Sequence, residues 1–395
     1  MKIPLRLAGE PLPPPPGPVV LATGFRPFFL AAGAFGALAV PLWLLLLYAG
    51  VAAPTVLPGM TWHGHEMLIG YTGAVLAGFL LTAVRHWAGG RATAANGPLA
   101  LLVLAWILGR IANAPGVPGG LWSAAPDVVW LLGVTVAIGR PLIAAGSRRN
   151  YGFLAALPFL AACSVALHHP TAVAWSSQLL EVVLMVFVAV LVVVGGRIVP
   201  LFTRNALPDL GVESIPAIEK LVPFALGAAL LAPLAQDWPR VRAALLASAA
   251  TVLAARLVRW RSLGTLGEPL LWILHVGCWW IPVGLAALAA GSVALLPPAV
   301  GLHALAAGAI GSLTIGMLGR VSLGHTGRTL AAGPGATAAF ALMVTAGALR
   351  AAAPLFGTPR VLLMVAGTLW SLALLGWLVS FAPFLVAPRP DGKPG

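Results

Sequence analysis

Apolar runs of bilayer-spanning length follow one another almost without a break along this chain, and that pattern fixes its class. The hydrocarbon core of a bilayer takes a helix of about 20 apolar residues. Twelve such stretches can be read, at 28–50, 62–84, 98–112, 122–145, 152–168, 173–196, 221–235, 243–258, 268–290, 298–319, 334–353 and 359–386. Twelve helices of about 20 residues use roughly 240 positions, which fits 395 residues with short connections. Composition agrees, since 60% of residues are hydrophobic and 8% are charged, against about 25% charged in soluble chains. A soluble fold this poor in polar groups could not cover its own surface. The sequence therefore predicts an all-α, polytopic integral membrane protein. Prolines such as Pro98, Pro126, Pro170, Pro297, Pro298 and Pro359 stand at the boundaries, where helix starts tolerate them.

Residues 1–27 read as an irregular tail carrying Lys2, Arg6, Glu10 and the run Pro13 to Pro16. They lack the apolar core and small-residue cleavage site of a signal peptide. Residues 28–386 read as one twelve-helix membrane domain and 387–395 as a short second tail. Cys163 and Cys278 both lie inside apolar stretches and form no metal or redox motif.

The net charge of +13 would suit nucleic acid by itself. Its placement argues otherwise. With the N-terminus inside, 18 of the 23 Lys and Arg residues fall on inner segments and 5 on outer ends: Arg110, Arg240, Arg242, Arg350 and Arg360. This asymmetry places both termini in the cytoplasm. The excess is topogenic and lipid-facing, so no nucleic-acid partner is expected.

Polar groups inside a bilayer are costly and need a reason. Thr61-Trp62-His63-Gly64-His65-Glu66-Met67 opens the second stretch, with Thr61 as its cap. His63 and His65, at i and i+2, point about 200° apart on a helix. They cannot both grip one ion, whereas His63, Met67 and Tyr71 share a face. His303 starts a face that continues through Ala306, Ala307, Ile310, Thr314 and Met317, and its alanines would let a flat macrocycle approach the backbone. Metal or haem ligation competes at both positions with a hydrated cap or a helix-packing histidine. His275, with Cys278 at i+3, lies deep in the ninth stretch, where iron or copper is one partner for a buried imidazole. His325 sits between Arg320 and Arg328, which read as a solvated basic turn or as holders of carboxylates. His86, His168 and His169 fall at stretch ends and read as interfacial. Glu181 lies at mid-depth in the sixth stretch, the one mid-membrane carboxyl, and reads as a proton relay or a desolvated acid. Gly195-Gly196 and Pro200 read as the end of that stretch. No P-loop, dinucleotide fingerprint, metalloprotease helix or C-x-x-C-H haem attachment occurs.

Several segments together carry a family resemblance. They are Gly24-Phe25-Arg26-Pro27-Phe28-Phe29, the WHGHEM run at 62–67, GRIVPLFTRN at 196–205, EPLLWILHVG at 268–277 and HALAAGAIGSLTIGMLGRVSLGHTGR at 303–328. The chain resembles the NnrS family of haem- and copper-containing bacterial inner-membrane proteins linked to nitric oxide metabolism and nitrosative stress in denitrifying and related bacteria. The resemblance covers about residues 20–385. It implies non-covalent haem b and copper as cofactors, nitric oxide or a related small molecule as partner, and an electron donor of unstated identity. It makes His63, His65, His275, His303 and His325 the pool of haem and metal ligands, with Arg320 and Arg328 beside the last. Around His86 the sequence departs from the Pro-Asn expected before Trp87, which sets His86 outside that pool.

Within the pool, helix depth favours a haem between the second and tenth stretches, held by His65 and His303 near the outer face. A second centre would use His275 with His325, and His63 would be the copper ligand. On this reading the protein binds or processes nitric oxide, with Glu181 moving protons if redox turnover occurs. The rival readings are a twelve-span transporter or metal-handling permease with a histidine-lined copper path, and a non-catalytic sensor or assembly factor. No internal repeat is evident, which weighs against the transporter.

Overall fold

The computed structural model describes residues 17–50, 57 and 59–393. Most of the expected N-terminal tail, with Lys2, Arg6, Glu10 and the proline run, lies outside the described residues. The described residues fold into helices without a strand. These are α1 (Phe25–Tyr48), α2 (Gly59–Trp87), α3 (Asn96–Ala112), α4 (Leu121–Ala144), α5 (Arg148–Leu167), α6 (Ser176–Ala206), α7 (Pro216–Ala235), α8 (Pro239–Val258), α9 (Pro269–Ser292), α10 (Pro298–His325), α11 (Pro334–Phe356) and α12 (Arg360–Val386). Eleven are long and apolar enough to cross a membrane, and α3 is a shorter apolar helix. Every expected stretch has its helix, so the chain is a polytopic membrane protein. Five helices, α7 to α11, begin on a proline, where the missing N–H has no intrahelical partner to lose.

Three helices run past their expected ends. Thr61 does not cap α2, which begins at Gly59; its Oγ1 instead donates to Ser176 Oγ of α6 at 3.1 Å. Neither Gly195-Gly196 nor Pro200 ends α6, which continues to Ala206. The physical reason lies in α8. Arg256 packs its guanidinium where a Cβ on Gly196 would stand, donates to Val192 O at 3.3 Å and pairs with Glu219 of α7 at 2.7 Å. The glycine makes room for a charge. Likewise α10 stays helical through His325, so Arg320 is a buried helical residue and not part of a solvated turn.

Burial decides which helices are central. α2 and α10 have 83% and 67% of their apolar windows buried, whereas α7 and α8 have 28% each and lie at the periphery. α1 packs on α2 and α12, and α10 lies against α9, α11 and α12. Close approach needs small residues, as is usual where no water drives helices together. A Cβ on Gly301 would lie 2.5 Å from Leu288 N of α9, and one on Gly347 would lie 2.9 Å from Ala307 O of α10. α2 and α10 each carry one π-helical segment, Glu66–Thr72 and Ala304–Ile310. Such segments are rare and concentrate at functional sites.

The start of α1 and the end of α12 meet on one side, here called the entry face. The Phe25 amide donates to Thr82 Oγ1 of α2 at 3.1 Å. Arg26 Nη1 donates to Leu385 O at 2.8 Å, Ala387 O at 3.0 Å and Phe384 O at 3.3 Å, so it satisfies carbonyls that the end of α12 leaves open. The starts of α2, α10 and α12 lie at the opposite, far face. Arg26→Ala is expected to destabilise the bundle by roughly 1.5–3 kcal/mol, the worth of hydrogen bonds to a charged group. Thermal unfolding in detergent measures the loss, and Arg26→Lys recovers only part of it.

Candidate functional site

The two histidines at the start of α2 go opposite ways, as their spacing dictates. His63 turns toward a cavity of about 300 Å³ at the far face, enclosed by α1, α2, α6, α10, α11 and α12. His303 of α10 lines the same cavity, together with Glu181, Arg350 and Tyr71. Ala306, Ala307, Ala346, Ala366 and Gly367 leave its walls flat. The expected face of α10 is thus a cavity wall from His303 through Ala306 and Ala307 to Ile310, while Thr314 and Met317 lie outside the lining; the face of His63, Met67 and Tyr71 on α2 is a wall in full.

The hydrogen bonds set the chemistry of the two imidazoles. His303 Nδ1 donates to Ala299 O at 2.8 Å. This fixes the tautomer and leaves the Nε2 lone pair free, as in metal-ligating histidines. The His63 ring stacks on Trp43 at 4.9 Å and 18°, and its buried Nδ1 has no hydrogen-bond partner among the described residues. Beneath them Tyr71 OH donates to Thr314 Oγ1 at 2.8 Å, and Thr314 in turn donates to Ile310 O at 2.7 Å. Both π-helical segments border this space through Met67, Tyr71, Ala306 and Ala307.

His65 faces α3, α4 and α5 and lies in a different environment. Its Nδ1 is 2.9 Å from Glu66 Oε1, and its Nε2 is 3.1 Å from Ser164 Oγ and 3.2 Å from Asp127 Oδ2. Arg110 of α3 pairs with Glu66 Oε2 at 2.6 Å and with Asp127 Oδ1. Trp130 Nε1 donates to Asp127 Oδ1 at 2.9 Å. Two carboxylates, a guanidinium and an imidazole engaged at both nitrogens form a closed quartet. The expected pairing of His65 with His303 is therefore corrected. A cavity does lie between α2 and α10, but the α2 histidine that lines it is His63, and both nitrogens of His65 are engaged elsewhere.

The remaining expected residues fall elsewhere. His275 Nε2 lies 2.9 Å from Thr203 Oγ1 and its Nδ1 lies 3.0 Å from Ser262 Oγ, so hydroxyls satisfy both nitrogens. Cys278 is buried and free. His325 has other neighbours than His275: its ring lies 5.6 Å from Phe25 and 5.5 Å from His86 at the entry face. Arg320 rests on the Phe202 ring at 4.0 Å and Arg328 on Phe384 at 4.2 Å. Both lie on α10's entry-face half or beyond it, about 25 Å or more along the helix from His303. Glu181 is neither unpaired nor at mid-depth. It sits near the far-face start of α6 and pairs with Arg242 of α8 at 2.6 Å, while Glu66 and Asp127 are further carboxylates buried in the bundle. His169 is exposed as expected, but His168 is fully buried and donates from Nδ1 to Ser164 O at 2.7 Å.

Sequence reasoning missed Asp127 and treated Arg110 and Arg350 as topogenic charges. The usable signal was a basic residue ending one apolar stretch and an acid opening the next, since a buried charge requires a partner. Among the described residues, no three His, Cys, Asp or Glu side chains are grouped to hold a metal ion. The features of the far-face cavity that would suit a flat macrocycle are its small-residue walls and two imidazoles that each keep one nitrogen without a hydrogen-bond partner among the described residues. A copper ion finds no comparable ligand set there.

Arg110→Ala is expected to cost about 3–5 kcal/mol, because it strands two buried carboxylates. The double change Arg110→Met with Asp127→Leu is expected to cost clearly less than the two single changes summed. A double-mutant cycle of thermal stability in detergent measures the difference.

No curated protein matches this chain. The family model described as NnrS protein matches residues 19–389, from just before α1 to just beyond α12. A match over nearly the whole chain, on a bundle that brings two of the family-motif histidines to one cavity, shows that the chain belongs to the NnrS family.

Proposed function

We propose that this protein is a haem-binding membrane protein of the bacterial inner membrane that binds or processes nitric oxide and so limits nitrosative stress. Family membership points to a nitric-oxide-related function in general. The finer reading rests on one observation: His63 and His303, from different helices, line a single cavity, and among the described residues neither His63 Nδ1 nor His303 Nε2 has a hydrogen-bond partner. His63 and His303 would hold non-covalent haem b there, and its iron would supply the chemistry of binding nitric oxide.

The chain's own groups define the rest. The Ala299 carbonyl orients His303, and Trp43 holds the plane of His63. The alanine and glycine walls admit a flat ring. The apolar lining excludes water and favours a small uncharged gas that partitions from lipid. Glu181 is the carboxylate at the cavity wall able to accept or release a proton, and Arg242 and Gln236 hold it in place at 2.6 Å and 3.5 Å. His65 is a structural imidazole in this assignment. At the entry face the His86 and His325 rings lie 5.5 Å apart. No step is assigned to copper. A continuous histidine-lined permeation path has less support, because the Tyr71–Thr314 hydrogen bond lies beneath His63 and His303.

His63→Ala and His303→Ala are each expected to lose most of the bound haem, read from the pyridine haemochrome spectrum of purified protein. His275→Ala and His325→Ala are expected to retain it. Full haem content in both the His63 and His303 variants would overturn the assignment. Glu181→Gln is expected to keep the haem and the nitric oxide difference spectrum while slowing proton-coupled consumption of the gas several-fold, followed with a nitric oxide electrode.

A further inference from the structure

Arg350 lies in the last turn of the α-helical part of α11 and lines the far-face cavity beside His63 and His303. Its Nη1 is buried and, among the described residues, has no hydrogen-bond partner. An arginine that merely ends a transmembrane helix extends its head group to water. This one holds a donor inside, within electrostatic reach of both histidines. The neighbouring charges leave it uncompensated. Glu181 is matched by Arg242, and Arg360 at the rim lies over the Tyr48 ring at 4.8 Å. With neutral histidines the cavity wall therefore carries one unmatched positive charge, and a buried guanidinium donor in the same lining as the two imidazoles has no hydrogen-bond partner among the described residues. Leaving such a donor buried and unmade is costly, and a guanidinium fork matches a planar oxyanion better than any other group.

We propose that Arg350 forms an oxyanion subsite in the far-face cavity, taking a planar, singly charged O–X–O group. Two sources share that chemistry. One is a carboxylate borne by the macrocycle proposed for this cavity, an arm that rests on the haem reading. The other is free nitrite, which does not depend on it. In either case Arg350, not Arg320 or Arg328, is the arginine that neutralises an anion beside His63 and His303.

The test uses the purified full chain and three probes: haemin, haemin dimethyl ester and sodium nitrite. Haemin and its ester carry the same iron and differ in their carboxylates. If the carboxylate is the ligand, the wild-type chain binds haemin about tenfold or more tightly than the ester in Soret titrations, as a lost charge-assisted hydrogen bond requires. Arg350→Gln then removes the difference, and Arg350→Lys restores part of it. If nitrite is the ligand, nitrite raises the unfolding temperature of haem-free wild type and leaves Arg350→Gln unmoved. Equal affinity for haemin and its ester, with no stabilisation by nitrite, overturns the proposal from wild-type measurements alone, whether or not the Arg350→Gln variant folds. Failure of the haem reading is seen separately, as absence of Soret binding by either haemin form, and the nitrite arm then decides.

Discussion

A bilayer offers no water to a stranded charge, and the ionic quartet of His65, Glu66, Arg110 and Asp127 is where this constraint bears hardest on the fold. The four groups come from α2, α3 and α4, and Ser164 of α5 adds a hydroxyl. Each is needed by the others, since removing one leaves its partner charged in a low-dielectric interior. The quartet fixes the rotation of α2 about its axis. With His65 and Glu66 held against α3 and α4, His63 has no direction left but the cavity. The binding face of α2 is thus set by the structural face beside it.

The other wall is set by packing. α10 approaches α9 and α11 closely because Gly301 and Gly347 offer no side chain at the crossings. The π-helical segments in α2 and α10 border the cavity from both sides. Such a segment shifts the register of the residues beyond it, so His63 and Tyr71, or His303 and Ala307, meet the same space across a local change of pitch. The cavity therefore depends on two helices that are central by burial and that carry the family-motif histidines near their far-face ends.

Much of this was legible in the residues. Among the described residues, apolar runs of bilayer length gave the eleven helices long enough to cross, because the bilayer makes length and apolarity sufficient criteria, and the short run at 98–112 gave the shorter α3. The i, i+2 spacing showed that His63 and His65 diverge. The alanine face after His303 was read as a wall for a flat ligand, and it is a cavity wall. The ends of α6 and α10 were not legible. Gly195-Gly196 has the appearance of a helix end when Arg256, 60 positions away in the sequence, is not known to pack there. Glu181 looked unpaired for the same reason, its partner being on α8.

The sequence by itself determined the class, the helix count, the divergence of the paired histidines and the family, because each is written in local composition, spacing or motif. Tertiary structure alone decided which of the two histidines faces the cavity, that Arg110 is clamped between two carboxylates, that hydroxyls occupy His275, and that Arg350 has a buried donor without a partner among the described residues. These are properties of side chains meeting across helices far apart in the chain. A charged residue near a helix end reads the same in sequence whether it extends to water, pairs with a neighbour or faces a cavity. The packing of the helices, through the partners it brings or withholds, settles which.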